Sequence, residues 1–392
     1  MKDIMSDSRF VLVFTKGVFT KGVFAKGDVT MRLPKKNIPV LGLLLLLWVL
    51  AGCGAQITDK PRFAFVLDSA TAGTSVGSIS AFSVVRSTGV LSPIGSSVKT
   101  GNNPTAITSD LHGRLLYAAN LDDGTISAFG INRANGSIFT APGSPFTTGD
   151  SPLNLVIDRA TKFLFVANNG SSSISVFHIN RTDASLKLLP GSPVDTPDPP
   201  INLAVAPSGK FLYAATGTNG IEVLSVSSTG VLALVDQQAS VTGNLSNLAI
   251  SPNGKFLFAV DDDATVSAYT IDAVTGKLAL IAGSPFAAGD QPSTIAVDPS
   301  GRFVYAANQG SNDISAFSIN ADGSLTAITG SPFVTGVQPL QITVDPSGRF
   351  VYTANIGDRN VSVFSISSTT PGALNAVGTA AVASPVFMTI TR

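Results

Sequence analysis

The chain has 392 residues, 44% of them hydrophobic and 13% charged, with 25 Lys and Arg against 25 Asp and Glu and one Cys. That is enough apolar material for large cores, and a single Cys excludes disulfides and thiolate metal sites. From Cys53 onward the balance is 17 Lys and Arg against 22 Asp and Glu, an acidic excess that argues against nucleic acid or an anionic membrane surface as partner.

Residues 31–53 open with Met31-Arg-Leu-Pro-Lys-Lys36, run through an apolar stretch from Ile38 to Leu50, and end on Leu50-Ala-Gly-Cys53. A short basic region, an apolar run and small residues before a cleavage site describe a secretory signal. The rival reading, a spanning anchor, wants roughly 20 apolar residues. The small residues before Cys53 resemble a bacterial lipobox, which implies acylation of Cys53 and a membrane anchor without a spanning helix. Gly54 after the Cys then points to a cell-envelope lipoprotein, in the outer membrane if the host is Gram-negative. Upstream, residues 1–30 repeat Thr15-Lys-Gly-Val-Phe19 as Thr20-Lys-Gly-Val-Phe24. They are read as an extension ahead of a start at Met31, or else as a long basic leader region; residues 54–60 are a short linker.

The remainder, residues 61–392, is a repeat. Its cleanest copy is Phe303-Val-Tyr-Ala-Ala-Asn308 after Asp298-Pro-Ser-Gly-Arg302, and other copies begin at Phe63, Leu115, Phe163, Phe211, Phe256 and Phe350. A spacing of 45 to 52 residues suits four short strands with their turns, the mark of a propeller. Within the copy from Gln291 to Phe333, Ser293 to Val297 is an apolar run, and Asp298-Pro-Ser-Gly301 is a turn into a second strand. Ile314 to Ile319 alternates large and small residues as a third strand, and Asp322-Gly323 turns the chain into Leu325 to Ile328. Gly330-Ser-Pro-Phe333 is read as the end of the outer strand, its Phe packing on the next blade. The first copy lacks an innermost run, and Pro385 to Ile390 is such a run without a blade. The expected fold is therefore an all-β, seven-bladed propeller of four-stranded blades, closed by the C-terminal strand, and monomeric.

Candidate functional residues are sought where the copies disagree, around the mouth of the central channel. The second strands end there on Asp68, Asn120, Asn168, Thr216, Asp261, Asn308 and Asn355. Such a ring suits a sugar or a cation, or else hydrogen-bonds its own loops. The second position of each innermost strand gives Ala106, Asn154, Asn202, Asn247, Thr294, Gln341 and Phe387. Amides there would hold a ligand or line a wet channel. The acidic loops at Asp122-Asp123, Asp261 to Asp263 and Asp358 lack the spacing of a defined calcium loop and are read as solvated turns. Glu222, the only Glu, replaces a strand Ser and is read as exposed. His112 lies in a turn on the far face, His178 replaces a strand Ser, and Gly73-Thr-Ser-Val-Gly77 lacks the strand-to-helix elbow of a nucleophile. No metal or cofactor motif is read.

The Asp-Pro-Ser-Gly-Arg-Phe-Val-Tyr-Ala-Ala-Asn repeat resembles the lactonase-type seven-bladed propellers, the 6-phosphogluconolactonase-like family with its related surface propellers of Tyr-Val-Thr-Asn repeats. The resemblance implies hydrolysis by His and Arg on an innermost strand and Glu after a second strand. This chain offers none of these at the matching positions; only blade 5 keeps a polar pair with an acid, Asn247 and Asp262. If lactone hydrolysis occurs, Asp262 is the expected base for water and Asn247 the carbonyl donor. The other reading is a non-catalytic propeller that takes a glycan, peptide or protein at its mouth.

Overall fold

The computed structural model describes residues 61–69, 75–217, 220–238 and 243–392. The leader, Cys53 and the first residues of the Gly73 to Gly77 motif lie outside them; Val76 in that motif opens a strand. Seven antiparallel sheets follow one another along the chain, each built from an innermost, second, third and outer strand. Blade 6 shows the pattern: Pro292–Val297, Phe303–Asn308, Asp313–Ile319, then Leu325–Ala327 and Phe333–Val334 outside. Blade 1 takes its innermost strand from the C-terminus, Pro385–Ile390 pairing with Arg62–Asp68, as the sequence implies.

The turn between innermost and second strands explains its own residues. Asp298 Oδ1 accepts the N–H groups of Arg302 (2.6 Å) and Phe303 (2.7 Å), and its Oδ2 accepts that of Ser300 (3.0 Å). Gly301 takes φ +70°, a conformation costly to any residue with a Cβ. The basic residue after the Gly lies beside the Phe that opens the strand: Arg302 stands 5.0 Å above Phe303, Arg349 5.5 Å above Phe350 and Lys162 4.7 Å above Phe163.

The Gly-Ser-Pro-Phe segment is not the end of the outer strand. In blades 2, 3, 5 and 6 the Ser-Pro bond is cis, and the segment interrupts an outer strand whose two short pieces both pair with the third strand. The break is tolerated because the Ser hydroxyl fills the ladder: Ser144, Ser192, Ser284 and Ser331 accept the N–H groups of Ala128, Val176, Ala268 and Ala316 at 2.7 to 2.9 Å. Phe146 and Phe333 pack, as expected, into the cores between blades.

Those cores are held by one recurring contact. The Phe that opens a second strand lies under the turn between third and outer strands of the next blade, where a Gly with positive φ lets it in. A Cβ on Gly276 would sit 2.4 Å from Phe211, and one on Gly372 2.6 Å from Phe303. The Tyr two residues on donates its hydroxyl to the same turn, Tyr213 to Gly276 O (2.9 Å) and Tyr305 to Gly372 O (2.9 Å). One seam departs in both partners at once: Leu115 replaces the Phe, and Ala184, φ +66°, replaces the Gly. The shorter side chain makes room for the extra methyl. Leu115→Phe is therefore expected to destabilise the protein by about 1–3 kcal/mol through overpacking. Adding Ala184→Gly should recover most of the loss in urea unfolding; simple additivity of the two changes would rule out the pairing.

Candidate functional site

Because sheets and turns alternate, the ring has two faces. The turns with the basic residues form a base, and the loops after the second strands form a mouth. Between them the innermost strands enclose a channel of about 260 Å³. Its wall includes Asn154, Asn202, Asn247, Thr294, Gln341 and Phe387, six of the seven second positions of these strands; in blade 2 Ile107 and Thr108 line it and Ala106 does not. None of the described residues lining the channel is ionisable.

Each amide has two tasks. Asn154 Oδ1 accepts the N–H of Leu203 (3.2 Å), Asn202 that of Leu248 (3.1 Å) and Asn247 that of Ile295 (3.3 Å), each on the innermost strand of the next blade. Thr294 does the same for Ile342 with its hydroxyl (2.9 Å). Since a backbone N–H must meet an oxygen, the amide orientation is fixed. Among the described residues the three Asn Nδ2 groups have no hydrogen-bond partner, and they face the channel. Gln341 donates Nε2 to Ile342 O (2.9 Å), leaving its Oε1 buried and unpaired.

The Asn residues that end the second strands are a different matter. Asn120, Asn168, Asn308 and Asn355 are all 0% exposed, so they present nothing to a ligand at the mouth. Their Nδ2 groups donate to the third strand of their own blade: Asn120 to Thr125 and Ser127 (both 3.0 Å), Asn168 to Ser175 (2.9 Å), Asn308 to Ser315 (2.9 Å) and Asn355 to Ser362 (2.8 Å). Asn120 Oδ1 also accepts Gly101 N–H from the incoming loop (3.0 Å). These side chains stiffen the rim.

Asp262 and Asn247 do not meet in one cavity. Asp262 is not among the residues that line the channel. Its Oδ1 accepts Asn244 N–H (2.6 Å) and its Oδ2 accepts Asn244 Nδ2 (2.7 Å), which staples the mouth loop of blade 5. The other acidic loops act alike: Asp123 binds Asn102 N and Nδ2 (2.7 Å each), and Asp358 binds Val337 N (2.9 Å). His112 lies at the base, and His178 is exposed beside Phe163.

Glu222 overturns its reading as an exposed strand position. It is fully buried, because blade 4 builds its rim pin in reverse: Thr216 stands where other copies have Asn or Asp, and the acid comes from the third strand. Its Oε1 accepts Asp198 N–H (3.1 Å) from the loop that leads to Asn202, while Oε2 has no partner among the described residues. Burial pushes the carboxyl up to about 7, repulsion from Asp198 adding to the shift and the Asp198 N–H opposing it. Only the tertiary structure reveals this, although a lone Glu in a Ser position was a usable signal.

The chain matches the model of the lactonase family, described as a seven-bladed β-propeller, over residues 64–190, 187–285 and 281–390, and belongs to that family. It is similar in structure to a provisional 6-phosphogluconolactonase from Bacteroides fragilis, with a TM-score of 0.73 and 22% identity over 86% of this chain and 99% of that one. The corresponding protein from Bacteroides uniformis gives 0.72 and 21%, over 85% of this chain and 100% of that one. A periplasmic gluconolactonase from Pseudomonas aeruginosa gives 0.66 and 19%, over 84% and 99%. No curated protein matches in sequence.

Glu222 sets a pH dependence. A folded value near 7 against 4.5 unfolded means that the folded state holds the extra proton between those values, so stability is greatest below about pH 4.5 for this group and falls as pH rises through 7. Glu222→Gln should reduce the stability lost between pH 5 and pH 8 by on the order of 2 kcal/mol in denaturant titrations. An unchanged pH profile in the variant would refute the assignment.

Proposed function

We propose that this protein is an envelope-anchored propeller that binds a neutral, hydroxyl-rich small molecule at the amide ring of its channel. The observation that carries this reading is the wall itself: amides and hydroxyls without an ionisable group, three of the amides with unspent donors. Hydroxyl and carbonyl oxygens of a sugar or sugar lactone accept from such donors, and the apolar residues between them, Leu155, Leu203 and Leu248, suit the faces of a small ring. A phosphorylated sugar would bring charge to a channel that has no cation to meet it.

Lactone hydrolysis is the second reading, favoured by membership of the lactonase family. The Pseudomonas aeruginosa relative is a periplasmic gluconolactonase, so export and an unphosphorylated lactone occur together on this fold. Against it, Asp262 has both oxygens engaged by Asn244. Asn247 spends its own oxygen on Ile295.

Calorimetry with glucono-δ-lactone, gluconate and simple hexoses, beside hydrolysis assays on glucono-δ-lactone and 6-phosphogluconolactone, separates the two. Saturable binding of the uncharged compounds without acceleration over the spontaneous rate is expected. Asn202→Asp keeps the acceptor for Leu248 N–H and loses the Nδ2 donor, so it should weaken binding by about tenfold or more, at some cost in stability from the buried carboxyl. Turnover that disappears in Asp262→Ala would establish the hydrolase instead.

A further inference from the structure

The channel leaves the base of the ring unexplained. Between residues 61 and 392, thirteen of the sixteen Lys and Arg stand on the base turns or at the C-terminus, with seven Asp; the other three cations and fourteen carboxylates lie on the mouth loops, strand ends and outer strands. The acidic total of residues 61–392 is thus the sum of a positive base and a more strongly negative mouth half. Exposure widens the split. Asp110, Asp158, Asp298 and Asp345 are buried, whereas ten of the thirteen base cations are exposed.

The cations are also evenly placed. In every blade the residue before the second strand's first hydrophobic is basic, from Arg62 in blade 1 to Arg349 in blade 7. They therefore form a ring of seven around the base: Arg62 and Arg114 are half-buried and pair with the buried Asp345 and Asp110, the other five are exposed, and three of these five are steadied by the Phe beneath. At the seam of blades 1 and 2 they are joined by His112, Arg133 and Arg392 around a shallow cavity of about 280 Å³ that Pro61 also lines. The described chain enters the propeller on this same face, since blade 1 opens at Arg62, nine residues after Cys53.

We propose that the base docks on an anionic lipid surface, which holds the channel mouth away from the membrane. The charge complementarity is that of a broad basic face with phospholipid headgroups: exposed cations spaced from blade to blade around the ring, with only the shallow cavity at the seam of blades 1 and 2 gathering several of them. The orientation rests on the envelope-anchor reading, because a tether at Cys53 delivers the chain to the surface from the basic side. It departs from the expectation that net charge alone gives. A dipolar molecule can be acidic in sum and still present a basic face.

The test is co-sedimentation of the mature chain, residues 53–392 without the leader and carrying Cys53→Ser so that it cannot be acylated, with phosphatidylglycerol-containing vesicles and with pure phosphatidylcholine vesicles. Binding to the anionic vesicles alone, lost between low and high salt, is expected. The quadruple variant K162Q/K210Q/K255Q/R302Q should weaken it by more than about tenfold, while K162R/K210R/K255R/R302K, which keeps the charges, should bind as the parent does. Neutralising Lys99 and Arg359, away from the base, should change nothing. Equal binding to both vesicle types, none at low salt, or full binding by a folded quadruple Gln variant would overturn the proposal. Incorporation of labelled palmitate at Cys53 in cells reports the anchor separately, so failure of the lipoprotein reading is distinguishable from failure of the docking surface.

Discussion

Everything in this molecule depends on how one blade meets the next. Each sheet can bury its faces only against its neighbours, and the contact that sets their approach is a Phe pressed under a turn that must lack a Cβ. At the Phe211–Gly276 and Phe303–Gly372 seams a methyl group would stand 2.4 to 2.6 Å from the ring, closer than carbon atoms come without movement. The adjoining Tyr hydroxyl then satisfies the turn carbonyl, as Tyr352 does for Gly89 at 2.8 Å. The seam between Leu115 and Ala184 follows the same rule with both partners changed, which shows that the constraint is volume rather than residue identity.

The polar residues obey a second rule, that a buried backbone N–H must find an acceptor. The asparagines of the innermost strands serve the neighbouring blade from inside the channel, and those of the second strands serve the rim from within the protein. Both sets are amides near the mouth, yet only the first retains donors that face the channel. Blade 4 solves the rim problem with Glu222, and the cost is a buried carboxyl held near neutrality. The channel that results is polar and uncharged, a setting for recognition by hydrogen bonds more than for acid–base chemistry.

The base gathers its charge for reasons of packing before any reason of function. A turn that needs Asp to cap it and Phe to fill the seam leaves one exposed position between them, and a long basic side chain covers the aromatic edge there while keeping its charge in water. Asp caps only four of the turns, Asp110, Asp158, Asp298 and Asp345, but the basic residue itself recurs in all seven blades, and a local solution becomes a field across a whole face. The two faces of the ring are thereby made chemically distinct.

The sequence by itself determined the architecture: the period, the Asp-Pro-Ser-Gly turn, the alternation of the third strand and the orphan run at Pro385 are local signals, each tied to a backbone geometry that few residues satisfy. The period of two also puts Asn154, Asn202, Asn247 and Gln341 on one face of their strands, the face that lines the channel, although the same count put Ala106 there and it does not line it. Only the tertiary structure decided what those groups have left to offer. Asn120 and Asn202 are alike in sequence, but one donates to the hydroxyls of its own blade and the other accepts from a strand 46 residues on. Whether Asp262 is free or stapled, and whether Glu222 meets water, turns on contacts between loops of different blades or strands, and partners that distant leave no mark in the spacing of a single chain.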